Sequence, residues 1–343
     1  MSEASSIVGA TAGDQALRPF GVVRLAVPVP FTEAGGIVNV YLIDEPDGGL
    51  TLFDAGISTD ACREALLAGF AAAGRRIEEV RRIIISHGHL DHYGGARFIA
   101  ERAGARVVTH PRDAGKVVAD AGRPRDHAAY GPYFARLGVP LDAIFGMAAI
   151  YRGQLKLAER VAAAEPLEAG TRLQLRGFEA EVLHMPGHTP GHICLHAPAA
   201  RAVFTADHLL ARISPNPLLE LGPGGEDDKF RALCAYLDSV RRLRALDLDW
   251  LLPGHGAPFQ DHRPIVDRLL RFYDVRQAKI TRALAAAPRT PYELVLDVFN
   301  RAGHGELFLM LSEIIGNLEV LEERGAVARL PGEVPYRYRA LTS

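Results

Sequence analysis

Apolar and polar residues alternate through the N-terminal part of the chain, and this pattern predicts β-strands. The alternation covers about residues 20–56, in the stretches GVVRLAVPV, IVNVYLID and LTLFDAG, with the turn EPDGG before the last one. A helix over 60–73 comes next, then a β-branched strand over 80–86 that ends at a cluster of histidines. A second helix over 96–103 and a strand over 106–110 follow. This order predicts an α/β domain with polar residues on the loop after a buried strand.

Residues 111–165 interrupt the alternation, because they carry no strong strand pattern. Aromatic and apolar residues stand there among glycines and prolines: Tyr130, Tyr133, Phe134, Ile144, Phe145, Met147 and Tyr151. We predict a helical insertion that either covers a pocket or packs as a surface subdomain without touching substrate. If it covers a pocket, the candidate substrate-binding residues are Tyr130, Tyr133 and Phe134.

Strands are predicted again after the insertion. They form hairpins over 172–175, 178–184, 193–196 and 202–205. A helix is predicted from roughly Glu226 to Leu246, because apolar residues recur there every three or four positions. A short strand over 249–252 then leads into Pro-Gly-His-Gly.

Beyond Asp261 the pattern is almost wholly helical. The predicted elements are helices over 263–286, 290–300 and 311–324, followed by strands over 326–330 and 336–341 around the turn PGEVP. Three helices and a β-hairpin predict a small winged-helix-like domain over 261–343. The catalytic domain is then expected over 19–260, and residues 1–18 are expected to be a flexible, loosely ordered lead-in.

Composition excludes some classes of partner and site. A chain of 343 residues can bury a large core, and a net charge of −2 gives no reason to expect nucleic acid or a membrane as partner. The three cysteines form no C-x-x-C pair, so neither a disulfide framework nor a thiolate zinc site is indicated. No signal peptide or membrane-spanning run is recognisable, and we expect a cytoplasmic location.

The strongest chemical signal is the sequence His-Gly-His-Leu-Asp-His over residues 87–92. His87 and His89 are two residues apart, so on an extended segment both imidazoles point to one side and can chelate one ion. Asp91 and His92 come after the turn and can point at a neighbouring ion. Further donors must come from elsewhere, since zinc typically takes about four. Three candidates each follow a predicted strand: His188, Asp207 and His255.

The order of these motifs resembles the metallo-β-lactamase-fold superfamily over roughly residues 20–260. The motifs are H-x-H-x-D-H, P-G-H-T-P-G-H, an aspartate after a strand, and P-G-H-G. The resemblance implies a four-layer αββα sandwich and two metal ions. It implies one ion held by His87, His89 and His188, a second held by Asp91, His92 and His255, and Asp207 as the bridge between them.

Two further matches refine this resemblance. Phe53-Asp54-Ala55-Gly56 is similar to the superfamily's first motif, which implies that Asp54 supports the metal loop without binding metal. Asp91 stands where many true β-lactamases differ, and Asp207 replaces their cysteine or serine. Both departures resemble the glyoxalase II-like branch and disfavour antibiotic hydrolysis. The C-terminal segment is similar to the winged-helix appendage of some of these hydrolases.

The expected function is a dinuclear metal-dependent hydrolase that cleaves a small-molecule thioester, ester or lactone with a metal-bridging hydroxide. Two divalent ions are expected, with Zn²⁺ favoured and Fe or Mn as alternatives. Asp91 is the candidate catalytic proton shuttle. The alternative is a phosphodiesterase or nuclease whose winged helix aids nucleic-acid binding. Glu319, Glu322 and Glu323 disfavour it, because they would repel phosphates; packing or a homodimer explains the appendage better.

The remaining aromatic and histidine residues are expected to play lesser parts. Tyr93 follows His92 and either faces the pocket or packs in the core. His192 and His208 neighbour proposed ligands and are candidates for the hydrogen bonds that orient them. The other histidines are expected to be structural or exposed: His110, His127, His184, His196, His262 and His304.

Overall fold

The computed structural model describes residues 11–32, 35–119, 129–299 and 305–341. Its first sheet has six strands in the order of the chain. The strands are β1 (Val22–Pro28), β2 (Ile37–Asp44), β3 (Leu50–Phe53), β4 (Val80–Ile85), β5 (Arg106–Thr109) and β6 (Glu165–Pro166). Strands β1 to β3 pair antiparallel, whereas β3 to β6 pair parallel.

The second sheet has five strands in the order β13-β10-β9-β8-β7. These are β7 (Arg172–Gln174), β8 (Glu179–His184), β9 (Ile193–Ala197), β10 (Ala202–Ala206) and β13 (Trp250–Pro253). Strand β13 runs parallel to β10, and the other pairs are antiparallel. Strands β8, β10 and β13 therefore share one direction, so the loops after them lie at the same edge of the sheet.

The two sheets pack face to face through large side chains. Phe204 of β10 contacts Tyr41 and Phe53 of the first sheet, with ring centroids 5.3 and 5.6 Å apart. Helices cover the outer faces: α2 (Asp60–Ala72) and α4 (Ala96–Ala103) on the first sheet, α8 (Ala232–Ala245) and α9 (His262–Ala286) on the second. A short helix, α3 (Leu90–Tyr93), follows β4. The predicted αββα sandwich is thus confirmed.

The N-terminal segment differs from the predicted loose lead-in, because residues 12–17 form a packed helix, α1 (Ala12–Leu17). Thr11 and Asp14 form a capping box, and Leu17 is buried. A Cβ at Gly13 would lie 2.6 Å from the Pro258 Cβ, so the absence of a side chain allows the close contact. Residues 1–10 lie outside the described part of the chain.

A second correction concerns the helix predicted from Glu226. Residues 220–230 form a hairpin of β11 (Glu220–Gly222) and β12 (Gly225–Phe230), and α8 begins only at Ala232. Gly225 has φ +69°, a left-handed conformation that favours a turn over a helix start. The helical spacing of apolar residues holds from Leu233 onward and does not extend to the hairpin.

The insertion is helical, as predicted, and it packs on the C-terminal helices. It contains α5 (Pro111–Val117), α6 (Tyr130–Arg136) and α7 (Leu141–Gln154). The C-terminal region contains α9, α10 (Pro291–Phe299), α11 (Leu307–Glu323), β14 (Val327–Arg329) and β15 (Tyr338–Ala340). Helix α11 starts four residues earlier than the predicted 311. The helix order agrees with the sequence prediction, and the likeness to a winged helix stays a prediction.

One apolar cluster joins these two regions, and it changes the predicted substrate contacts. Tyr133 and Phe134 of α6 are buried there against residues of α10 and α11, including Leu294 and Leu311. These two aromatic side chains therefore belong to a packed core and do not line an open pocket.

Among the described helices, none is long and apolar enough to cross a membrane.

Candidate metal centre

All seven predicted ligands converge at one edge of the sandwich. They lie on the segments that follow β4, β8, β10 and β13, with Asp91 and His92 in the short helix α3 and the others on loops. Their donor atoms form three groups within 4.8 Å: His87, His89 and His188; His87, His92 and Asp207; and Asp91, His92 and His255. The fold thus brings together ligand residues that are separated by up to about half of the chain.

The first group consists of three imidazoles. The His87 Nε2 lies 3.0 Å from the His89 Nδ1, and the His89 and His188 ring centroids are 4.4 Å apart. Donors about 2.0–2.1 Å from a tetrahedral zinc ion would be separated by about 3.3 Å. The spacing of the first two donors is close to this value.

The ligand group expected to hold the second ion, Asp91, His92 and His255, contains a carboxylate. The His255 Nε2 lies 3.4 Å from Asp91 Oδ2, and the His92 Nε2 lies 3.9 Å from the same oxygen. Asp207 lies between the two groups. Its Oδ1 is 3.5 Å from the His92 Nε2, and its Oδ2 is 3.6 Å from the His188 Nε2 and 3.4 Å from the His255 Nε2. A carboxylate in this place can reach both groups.

Three of the histidines are oriented by the ring nitrogen that faces away from the centre. The Nδ1 of His92 donates to Asp54 Oδ2 at 2.7 Å, that of His188 to the Asn216 carbonyl at 3.0 Å, and that of His255 to the Ile37 carbonyl at 2.6 Å. Each bond fixes the tautomer and leaves Nε2 directed inward as a lone-pair donor.

The inward-facing atoms provide a test of whether cations fit. The Nε2 atoms of His92 and His188 and the Oδ1 of Asp207 are buried and find no hydrogen-bond partner within the described ranges. Buried polar atoms are normally satisfied, so three convergent exceptions need a partner. Imidazole nitrogens and carboxylate oxygens are donors that zinc, iron and manganese accept. The residues present therefore fit divalent metal ions.

Asp54 supports the ligand loop, as the resemblance implied. Its Oδ1 accepts the Ser86 backbone N–H at 2.8 Å, and its Oδ2 accepts the Ser86 hydroxyl at 2.9 Å. Because the Ser86 hydroxyl donates to Asp54, its oxygen accepts from the His87 Nδ1 at 2.9 Å. Asp54 has φ +65°, a conformation uncommon for aspartate, which fits a residue held by several bonds.

The pKa values of the ligand side chains are strongly shifted by burial and by neighbouring charges. Burial alone would lower the pKa of His92 and His255, but nearby carboxylates, Asp207 foremost, raise the pKa of His92 well above its usual range and that of His255 to about 10. Burial would raise the pKa of Asp207, but His255 and His92 hold it well below its usual range. Burial lowers the pKa of His87 and His89. Cations would take over the role of the imidazolium protons.

Comparison with known proteins identifies the family. The sequence profile described as the metallo-beta-lactamase superfamily matches residues 34–255. The chain belongs to the metallo-beta-lactamase superfamily. A Bacillus subtilis protein named probable metallo-hydrolase YqjP is 30% identical over 310 residues, which cover 89% of this chain and 93% of that protein. The function is therefore that of a metallo-hydrolase.

Two further superfamily members are informative. The crystal structure of a metallo-beta-lactamase family protein from Thermus thermophilus has a TM-score of 0.78 and 29% identity, and the match covers 94% of this chain and 99% of that one. Hydroxyacylglutathione hydrolase GloC of Haemophilus influenzae is 30% identical over 192 residues, which cover 53% of this chain and 74% of that protein.

The structure places the other candidate residues of this superfamily member around the centre. His192 stacks on His87 with ring centroids 4.9 Å apart, and His208 lies behind it against Tyr236. The ring nitrogens of His192 have no hydrogen-bond partner in the part of the chain that the structure describes. The rings pack on their neighbours, and their part in orienting the ligands stays a prediction.

The two tyrosine candidates have different surroundings. Tyr93 is 0% exposed in the core beneath the first sheet, so it packs and does not face a pocket. Tyr130 is half-buried, and its hydroxyl accepts the N–H of Leu221 in β11 at 3.0 Å. His127 and His304 lie outside the described residues.

Sequence reasoning missed three residues that support the ligand loops. The Asn39 side chain donates to the carbonyls of Pro253 and Gly256 on either side of His255. The Asn216 carbonyl orients His188. Asp113 bonds two ligand loops at once. Only Asp113 carried a usable signal, since it follows the parallel strand β5 at the edge where the histidine cluster lies.

Proposed function

We propose that this chain is a dinuclear metal-dependent hydrolase that cleaves a small-molecule thioester, ester or lactone. The observation that carries the proposal is the position of Asp207, whose carboxylate lies within 3.6 Å of a histidine of the first group, His188, and of two of the second, His92 and His255. A mononuclear site would not need a second group with its own carboxylate, Asp91. We propose Zn²⁺ in both sites.

Two divalent ions would supply a water of lowered pKa and a Lewis acid for the substrate oxygen. The chain's own part is to hold the donors and to move a proton. Burial would raise the pKa of Asp91, but His92 and His255 lower it, so Asp91 is a carboxylate at neutral pH. It can accept a proton at Oδ2 and pass it to the leaving group.

The relatives support a carbonyl substrate. A hydroxyacylglutathione is a thioester, and the relative named for its hydrolysis matches about half of this chain. The match covers the ligand-bearing domain only in part, so it supports the reaction class and leaves the acyl group open. We propose a thioester before an ester or a lactone.

The contacts of α11 favour this proposal over a nuclease. The helix is held against the hairpin β11–β12, where Glu319 is buried and pairs with Lys229 at 2.5 Å. Glu322 and Glu323 lie on the same helix. A helix that is packed and acidic is poorly suited to approach phosphates. A small-molecule partner and a homodimer remain our predictions.

A turnover screen tests the proposal. The zinc-loaded protein is compared on thioesters, lactones, aryl esters and phosphodiesters, and we expect the highest kcat/KM on a thioester. Asp91→Asn should lower kcat by about 10²–10⁴-fold, because the proton acceptor is lost. Asp60→Asn, whose carboxylate is 93% exposed on α2, is the matched control and should leave kcat unchanged.

Two outcomes would contradict the proposal. Phosphodiester turnover above that of every carbonyl substrate would favour the nuclease alternative. Near-normal turnover by Asp91→Asn, with circular dichroism showing a folded chain, would remove Asp91 from the reaction.

A further inference from the structure

Asp113 is a buried carboxylate outside the seven ligands. It lies in the first turn of α5, directly after β5, and is 0% exposed. Its Oδ2 accepts the Gly88 backbone N–H at 2.7 Å and the Thr189 hydroxyl at 2.5 Å. Its Oδ1 accepts the Gly191 backbone N–H at 3.0 Å. Three donors from two other loops therefore converge on one side chain of the insertion, and Lys116 Nζ of the same helix lies 3.5 Å from its Oδ1.

These donors belong to the two loops that carry the three-imidazole group. Gly88 stands between His87 and His89, and Thr189 follows His188. In the second group, Asp54 orients His92 and the Ile37 carbonyl orients His255. Asp54 also reaches the first group, because it accepts from Ser86, whose hydroxyl accepts from His87. Asp113 thus bonds groups next to His87, His89 and His188, whereas His255 is held by other residues.

The approach of the loops to Asp113 is close. A Cβ at Gly191 would lie 2.7 Å from the Asp113 backbone nitrogen, so a side chain there would push the His188 loop away. A Cβ at Gly88 would lie 2.5 Å from the Lys116 Cδ on the same helix. A carboxylate suits the position because it only accepts, whereas an amide would turn an NH₂ group toward one of the three donors.

We propose that Asp113 is a positioning residue that sets the separation of the two loops, so that His87, His89 and His188 together hold one ion. This inference rests on the proposed dinuclear centre. It makes the start of the insertion, α5, a part of the metal centre and adds to the three-imidazole group a support that His255 does not share.

Zinc titration in metal buffers tests the inference on the full-length chain. Wild type should bind two equivalents. In Asp113→Asn, one equivalent should bind about 10–100-fold more weakly, the usual effect of losing a partner that orients ligands. The other equivalent should stay within about twofold, because its support is intact. Asp142→Asn, an exposed carboxylate of the same insertion, is the control and should change neither.

Hydrogen exchange of the metal-free protein gives a readout independent of metal and activity. The amides of Gly88 and Gly191 should exchange faster in Asp113→Asn, and those around His255 should not change. If that variant does not fold, Thr189→Val removes one donor at constant volume and should weaken the same equivalent, by less.

Three results separate the possibilities. Two equivalents at wild-type affinity in both variants would overturn the positioning role. Equal weakening of both equivalents would also overturn it, because Asp113 would then act on the whole fold. A wild type that binds fewer than two equivalents would instead contradict the proposed dinuclear centre.

Discussion

At the scale of single residues, burial and charge set the protonation of this protein. The imidazole of His110 stacks on that of His184, with ring centroids 4.1 Å apart and planes 8° apart. Burial, helped by His184, lowers the pKa of His110 to about 4. The His110 ring also accepts the Arg112 N–H at the start of α5. This histidine is not one of the proposed ligands, so its titration reports on folding.

We predict that His110 makes stability depend on pH. The unfolded imidazole takes up a proton near pH 6.5, but the folded one does so only near pH 4. The unfolded state therefore binds more protons between these values, and folding weakens as the pH falls through this window. His110→Asn keeps a side chain that can cap the helix and removes the titration.

The measurement is the urea midpoint of the metal-free protein at pH 8, 7 and 5. The fall between pH 7 and pH 5 should be smaller in His110→Asn than in wild type. The change between pH 8 and pH 7 should be nearly the same in both proteins, since the imidazole is then mostly neutral in both states. An equal fall in the two proteins would show that His110 does not contribute.

At the scale of elements, α1 and β1–β2 hold the loop that carries His255. Arg24 of β1 donates to both oxygens of Asp14, at 2.8 and 2.9 Å, and to Asn39 Oδ1 at 3.0 Å. Asn39 in turn donates to the carbonyls on both sides of His255. A helix at the start of the described chain is thus connected to a loop that lies close to the end of the sandwich.

We predict that Asp14→Asn destabilises the protein by up to about 3 kcal/mol. This is the low end of the range for breaking a buried ion pair, because Arg24 keeps its bond to Asn39. Urea unfolding of the metal-loaded protein gives the value. Asp60→Asn, an exposed aspartate, should change the free energy of unfolding by less than about 0.5 kcal/mol. A change that small in Asp14→Asn as well would mean that α1 contributes little.

At the scale of the whole molecule, the insertion and the C-terminal helices form a second lobe beside the sandwich. Phe134 of α6 contacts Phe308 of α11, with ring centroids 6.2 Å apart, and both belong to one apolar cluster. The lobe also reaches the metal centre, because Asn216, which orients His188, donates to the Leu309 carbonyl of α11 at 2.9 Å.

We predict that this lobe is a major part of the stability. Phe134→Ala should cost about 3–5 kcal/mol, since it removes a buried ring and leaves a cavity. Phe145→Ala is the matched control, because that ring is 68% exposed on the same insertion, and it should cost less than about 0.5 kcal/mol. Chemical denaturation measures both. Equal small effects would indicate that the lobe folds independently of this contact.

The sequence predicts the metal loops well because the spacing of His87, His89, Asp91 and His92 is local. The sandwich also follows from local patterns, since alternation and apolar spacing report strands and helices directly. What could not be predicted depends on long-range contacts. The sequence could not decide whether the apolar residues of α6 cover a pocket or pack, because their partners stand far along the chain, in α10 and α11.

The residues that hold the ligand loops by hydrogen bonds could not be predicted for a similar reason. Asn39 lies within the strand-like run IVNVYLID, and nothing nearby indicates that its side chain bonds the loop around His255. Residues 12–17 have no long apolar pattern, and their helix is stabilised by Arg24 and by the close contact at Gly13. Such roles follow from the fold and not from the spacing of residues.

The central claim is that two ions are held by two groups of ligands joined by Asp207. The most direct test is the metal content of the chain, measured by elemental analysis alongside turnover, for wild type and for Asp207→Ala. We predict two equivalents of zinc and full turnover in wild type, and loss of both affinity and turnover in Asp207→Ala. Full turnover by wild type with one equivalent or none would contradict the account.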